Sequence, residues 1–166
     1  MRTIFIAAGL AVLAGCTWTH RCPSMSGGAE RTGIVTLQGR PLTLVGYEAK
    51  VGDPAPDFEV VDAAFAPVRL SDFRGKTVLV SVVPSLDTPV CSRQTKKFNE
   101  ALQAFPDDVV ALTISLDLPF AQKRFCEAEK IGRIRVLSDA VRRDFARKYG
   151  VLIRERGLLA RSVFVI

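Results

Sequence analysis

Four cysteines and a single histidine frame the chemistry open to this chain of 166 residues. With only His20, Ser–His–Asp triads, multi-histidine metal sites and histidine general-base catalysis are poorly supported, and no organic cofactor or metal is implied. Cys91 is the cysteine with a reactive setting. It follows an apolar, β-branched run, Thr77 to Val83, and lies in the first turn of the helix that begins at Thr88-Pro89. Unpaired backbone N–H groups and the positive end of the helix dipole favour a thiolate there. Thr88, three residues earlier, can hydrogen-bond to that sulfur, and Pro84 ends the strand where it can cover one side of a pocket. The same residues also fit a buried, inert cysteine at a tight strand–helix turn, because free cysteines often serve as small core hydrophobes.

The elements that would position this unit alternate. Ile34 to Gly46 reads as a hairpin turning at Gln38-Gly39-Arg40-Pro41. Short strands are expected at Phe58–Val61 and Val68–Leu70, and Phe73 to Lys76 reads as a loop. Buried strands are expected at Thr77–Val83 and Val109–Leu116, with a further strand at Ile134–Leu137. The first helix should reach about Phe105, with Phe98, Ala101, Leu102 and Phe105 as its apolar stripe. A second should run from Pro119 to about Glu129 with Phe120, Phe125 and Ala128 apolar. A third should be capped by Ser138-Asp139, with Val141, Phe145 and Tyr149 on one face. Leu158 to Ile166 reads as a last strand. This order predicts an α/β fold, a central sheet with helices on both faces. Neither GxGxxG nor GxxxxGK[ST] occurs. The formal charge is +6, but the basic residues are scattered and there are only two tyrosines and one tryptophan, which argues against nucleic-acid binding.

The pattern Pro84-x-x-x-Thr88-x-x-Cys91 resembles the active-site motif of peroxiredoxins. Asp117-Leu118-Pro119-Phe120-Ala121-Gln122, Arg124-Phe125-Cys126 and Leu159-Ala160-Arg161 are similar to the bacterial thiol peroxidase subfamily, the atypical two-Cys peroxiredoxins, as is the N-terminal hairpin. The resemblance implies a thioredoxin-like fold with that hairpin, and a thiol-dependent peroxidase acting on hydrogen peroxide and organic hydroperoxides. Cys91 would be the peroxidatic cysteine and Cys126 the resolving one, closing an intramolecular disulfide after local unwinding. Thr88 and Arg161 would hold the thiolate and the incoming oxygen, and Pro84 would shield the sulfur. Thioredoxin or a periplasmic dithiol would act as reductant, and a homodimer is expected. The family pattern continues through another strand and a C-terminal helix, so a shortened domain with an uncovered, aggregation-prone sheet edge is expected after Ile166. A thioredoxin-like disulfide carrier is a competing reading, although no Cys-x-x-Cys is present. A non-catalytic envelope lipoprotein is another.

The N-terminus reads as an address. Met1-Arg2-Thr3 is a basic start, Ile4 to Leu13 is a signal-length apolar run, and Leu13-Ala14-Gly15-Cys16 resembles a bacterial lipobox. Residues 1–15 are therefore expected to be a signal peptide, with Cys16 lipidated and the protein tethered in the cell envelope, facing the periplasm. Thr17 points weakly to the outer membrane. Loss of Arg2 with the signal would lower the charge by one, to +5. Residues 16–32 are expected to be a flexible tether, in which Cys22 is an idle thiol or an adventitious disulfide partner, and residues 33–166 the folded domain.

Overall fold

The computed structural model describes residues 29–166. Cys16, Cys22, the signal segment and nearly all of the expected tether lie outside that range. The chain opens with the hairpin β1 (Glu30–Leu37) and β2 (Arg40–Val45), antiparallel with Glu30 opposite Val45. Pairing thus starts at Glu30, ahead of the domain start expected at Gly33. The polar residues Glu30 to Thr32 carry no apolar period, but their backbone joins the ladder, and Arg31 donates to the Gly150 carbonyl at 2.6 Å.

Next come β3 (Glu59–Val61), β4 (Pro67–Arg69), a single 3₁₀ turn over Leu70–Phe73, and the central strand β5 (Thr77–Val82). The helix α1 (Pro89–Ala101) follows β5, then β6 (Val109–Ser115), α2 (Pro119–Ala128), β7 (Arg135–Ser138) and the short α3 (Asp144–Lys148). The chain closes with β8 (Leu152–Ile153), β9 (Leu158–Leu159) and β10 (Ser162–Val165). Six strands form one sheet in the order β10-β5-β6-β7-β3-β4, with β5, β6 and β7 parallel. The other four form a second sheet, β1-β2-β8-β9.

Alternate residues of β5 and β6 face two apolar clusters. Val78, Val80, Val82, Leu112 and Ile114 pack with Phe58, Phe145 and Tyr149; Phe145 stacks on Tyr149, and Phe58 meets both rings edge-on. Leu79 and Ala111 join the cluster built by α1 and α2, which holds both Cys91 and Cys126. The sheet therefore has helix-borne apolar residues on both faces, as the alternation of strands and helices predicts.

Several boundaries and faces differ from the sequence expectation. Helix α1 ends at Ala101, a 3₁₀ turn covers Leu102–Ala104, and Ala101 and Phe105 are exposed. The buried face runs instead through Cys91 and Thr95, with Phe98 and Leu102 half-buried, which is the helical period counted from Cys91. In α2, Phe120 and Ala128 are exposed, and the buried residues are Pro119 and Gln122. The Gln122 amide donates to Ser115 Oγ at 3.0 Å and to the Leu137 carbonyl at 2.8 Å, so a polar side chain occupies an inward position.

The third helix begins at Asp144 rather than after Asp139, and Val141 is exposed in the intervening turn. Asp139 still caps it from a distance, accepting from the N–H groups of Phe145 at 3.2 Å and Ala146 at 2.7 Å. The last strand is split. β9 pairs with β8 in the small sheet, the Ala160 N–H donates to the Val151 carbonyl, and the chain then crosses to the large sheet as β10.

The hairpin meets the end of α3 where backbones nearly touch. Gly150, at φ +60°, lies so close to the Tyr47 carbonyl that a Cβ would stand 2.3 Å from that oxygen. Gly46, at φ +123°, approaches the Arg147 carbonyl equally closely. Any side chain at either position would push the hairpin off the end of α3.

Candidate active site

The register of β10 on β5 decides which residues meet. β10 runs antiparallel to β5, with Ser162 opposite Val82 and Val165 opposite Leu79. The start of β10 therefore lies at the C-terminal end of β5, where the loop to α1 begins. Arg161, just before β10, arrives beside Cys91, seventy residues earlier in the chain.

Cys91 is fully buried in the first turn of α1. Two donors reach its sulfur. Thr88 Oγ1 lies 2.7 Å away and Arg161 Nη2 3.1 Å away. Thr88 is the N-cap residue of α1, yet its hydroxyl makes no capping bond to the helix backbone. It lies between Cys91 Sγ and the Ser85 carbonyl, the latter at 3.0 Å. One hydroxyl proton cannot serve both. With a thiol, the S–H can donate to Oγ1 while the hydroxyl donates to Ser85. With a thiolate, the hydroxyl turns its proton to sulfur. A fixed guanidinium and a hydroxyl aimed at one buried sulfur form a setting that suits an anion.

Arg161 is itself held. Its other terminal nitrogen donates to Gln94 Oε1, one turn along α1 from Cys91, and Gln94 Nε2 donates to Ser81 Oγ of β5 at 2.8 Å. Pro84 is half-buried on the loop between β5 and α1. The structure thus brings together Thr88, Cys91 and Arg161 and puts Pro84 on the same loop.

Cys126 lies on α2, half-buried, in the same apolar cluster as Cys91, and both cysteines are free thiols. Burial pushes the Cys126 thiol up, and the neighbouring Glu127 carboxylate adds to the shift. Among the described residues no group of His, Cys, Asp and Glu is placed to hold a metal ion.

Residues 51–166 match the model of the AhpC/TSA family. A thiol peroxidase of Oceanobacillus iheyensis is 52% identical over 132 residues, 80% of this chain and 80% of the relative. A thiol peroxidase of Listeria monocytogenes is 54% identical over the same length, covering 80% of this chain and 79% of the relative. The chain belongs to the AhpC/TSA family. The crystal structure of a peroxiredoxin-like protein from Aquifex aeolicus superposes with a TM-score of 0.74 at 48% identity, covering 84% of this chain and 81% of that one. A thiol peroxidase from Chromobacterium violaceum superposes at 0.68 with 26% identity, covering 79% and 78%. The thioredoxin-like peroxiredoxin fold expected from the sequence is therefore the fold of this AhpC/TSA protein.

Sequence reasoning did not single out Gln94, Ser81 or Ser85. The only signal for Gln94 is its spacing of three from Cys91, which puts both on one side of α1. Nothing in the sequence pairs it with Arg161.

The raised Cys126 thiol has a measurable consequence. In a Cys91→Ser background, Cys126 should react with iodoacetamide more slowly than free cysteine at pH 8, with the rate still rising above pH 9. Glu127→Gln should move that profile to lower pH. Alkylation followed by mass spectrometry across pH 7–10 checks both; a profile matching free cysteine would contradict the account.

Proposed function

We propose that Cys91 is the peroxidatic cysteine of a thiol-dependent peroxidase, with Cys126 as its resolving partner. The observation that carries the reading is the convergence of Thr88 and Arg161 on a buried sulfur at the start of α1. Close relatives that carry the name thiol peroxidase support the activity. They disfavour a disulfide carrier or a non-catalytic lipoprotein.

The Cys91 thiolate attacks one oxygen of a hydrogen peroxide or organic hydroperoxide. An S–O bond forms and the O–O bond breaks. The sulfur becomes a sulfenic acid, and the departing alkoxide or hydroxide takes up a proton to leave as alcohol or water. Arg161 offers its positive charge to the sulfur and to the departing oxygen, where charge develops. Thr88 orients its hydroxyl between sulfur and incoming oxygen. Pro84 limits the approach of water from the loop side.

Cys126 then attacks the sulfenic sulfur, expelling the hydroxyl as water and closing a disulfide. Cα atoms in a disulfide lie about 4.4–6.8 Å apart. The two cysteines sit on separate helices as free thiols, so local unwinding of α1 or α2 accompanies this step. A thioredoxin-type dithiol returns the pair to thiols, taking the disulfide onto itself.

The lipid anchor on Cys16, the signal peptide over residues 1–15, the tether and the periplasm-facing envelope location belong to the same proposal. The Leu13-Ala14-Gly15-Cys16 pattern supports them. A homodimer rests on the family resemblance, and light scattering of the purified chain decides it.

Peroxide consumption with a dithiol reductant should vanish in Cys91→Ser. Cys126→Ser should retain one oxidation per chain but lose turnover with thioredoxin. Turnover persisting in Cys91→Ser would contradict the mechanism. Cys16→Ala should move the protein out of the membrane fraction, and unchanged fractionation would refute the anchor.

A further inference from the structure

The stretch Asp117 to Gln122 is used by the mechanism above only for leading into the helix of Cys126, yet its polar side chains are engaged elsewhere. Asp117 follows β6 and is half-buried. Its carboxylate accepts three hydrogen bonds. Ser85 Oγ donates to Oδ1 at 2.7 Å, and the Leu86 N–H and Ser115 Oγ donate to Oδ2 at 2.7 and 2.8 Å. Two of these donors belong to the loop that carries Pro84 and Thr88. The Asp117 carbonyl accepts from the buried Ser138 Oγ of β7 at 2.7 Å.

The network continues into α2. Ser115 Oγ also accepts from Gln122 Nε2, which is one helical turn ahead of Cys126 on α2. A chain of hydrogen bonds therefore runs from the Ser85–Leu86 backbone and side chain, through Asp117 and Ser115, to Gln122. It joins the loop that orients Thr88 to the helix that carries the second cysteine.

We propose that the Asp117 carboxylate is a positioning residue that latches the Cys91 loop in its peroxide-reactive form and ties its release to movement of α2. The proposal rests on the assignment of Cys91 and Cys126 above. While the latch holds, Ser85 and Leu86 are fixed, the Ser85 carbonyl holds the Thr88 N–H at 3.1 Å, and the Thr88 hydroxyl stays within reach of sulfur. When α2 shifts to deliver Cys126, Gln122 is drawn from Ser115 Oγ, and that hydroxyl loses the donor that keeps its own proton directed at Asp117 Oδ2. The loop is then free to move the sulfenic sulfur outward.

Two fates of the sulfenic acid report the latch. In the closed form a second peroxide converts it to a sulfinic acid, transferring one oxygen and leaving as water or alcohol. In the open form Cys126 captures it as a disulfide. Four variants of the full chain are compared: Asp117→Ala, Asp117→Asn, Ser85→Ala and Val68→Ala. Val68 is buried in β4, separated from β5 by three strands, and serves as a stability control. Competition kinetics gives the rate of Cys91 oxidation by hydrogen peroxide, and mass spectrometry at excess peroxide gives the sulfinic-to-disulfide ratio.

Asp117→Ala should oxidise at least tenfold more slowly and give a lower sulfinic-to-disulfide ratio. Asp117→Asn keeps an acceptor for Leu86 and should recover most of the rate. Ser85→Ala removes one donor and should shift both readouts part of the way, even if Asp117→Ala does not fold. Val68→Ala should change neither. Wild-type oxidation in Asp117→Ala or unshifted readouts in Ser85→Ala would overturn the latch, as would the same two changes in Val68→Ala. If peroxide leaves Cys91 unmodified in the unaltered chain, the cysteine assignment fails, and the latch with it.

Discussion

The reaction proposed at Cys91 asks a fully buried sulfur to act as an anion, and that demand sets what the rest of the structure has to supply. Taking an uncompensated anion out of water costs several kcal/mol. Each hydrogen bond to a charged group returns about 1.5–3 kcal/mol. One donor, Thr88, is local and comes with the turn into α1. The other, Arg161, has to be delivered from the far end of the chain. The antiparallel pairing of β10 with β5 makes that delivery, because it puts the start of β10 at the end of β5. The crossing from the small sheet to the large one at Ala160 and Arg161 is the topological device that aims the guanidinium.

The local part of the site was legible in the sequence. A buried strand, a proline at the first helical turn and a Thr-x-x-Cys spacing are short-range facts, and they place Thr88 beside Cys91 on physical grounds alone. Arg161 was legible only through family resemblance, since no local pattern shows which strand neighbours β5. Gln94 and the Asp117 carboxylate network remained hidden because hydrogen-bonded polar side chains leave no mark on hydrophobic periodicity. Gln122 shows the same effect: an inward amide made α2 read as if Phe120 faced the core.

The remaining differences in the fold have the same origin. The sequence places the third helix directly after Ser138-Asp139, and Asp139 does cap it, but through its carboxylate across an intervening turn. β8 is two residues long and is held by β2 and β9, so it has too little sequence to show a period. The stripe expected on α1 started from its bulkiest residues, whereas the packed face is set by the small residues Cys91 and Thr95.

The rate at which hydrogen peroxide oxidises Cys91 once the guanidinium is removed tests most directly whether Arg161 activates the sulfur. Stopped-flow or competition kinetics on Arg161→Met, with folding confirmed by circular dichroism, should show a fall in the second-order rate constant of about a hundredfold, as for loss of a charge-stabilising donor at a reacting centre. A rate within about twofold of the unaltered protein would contradict the claim that Arg161 and Thr88 together make Cys91 reactive.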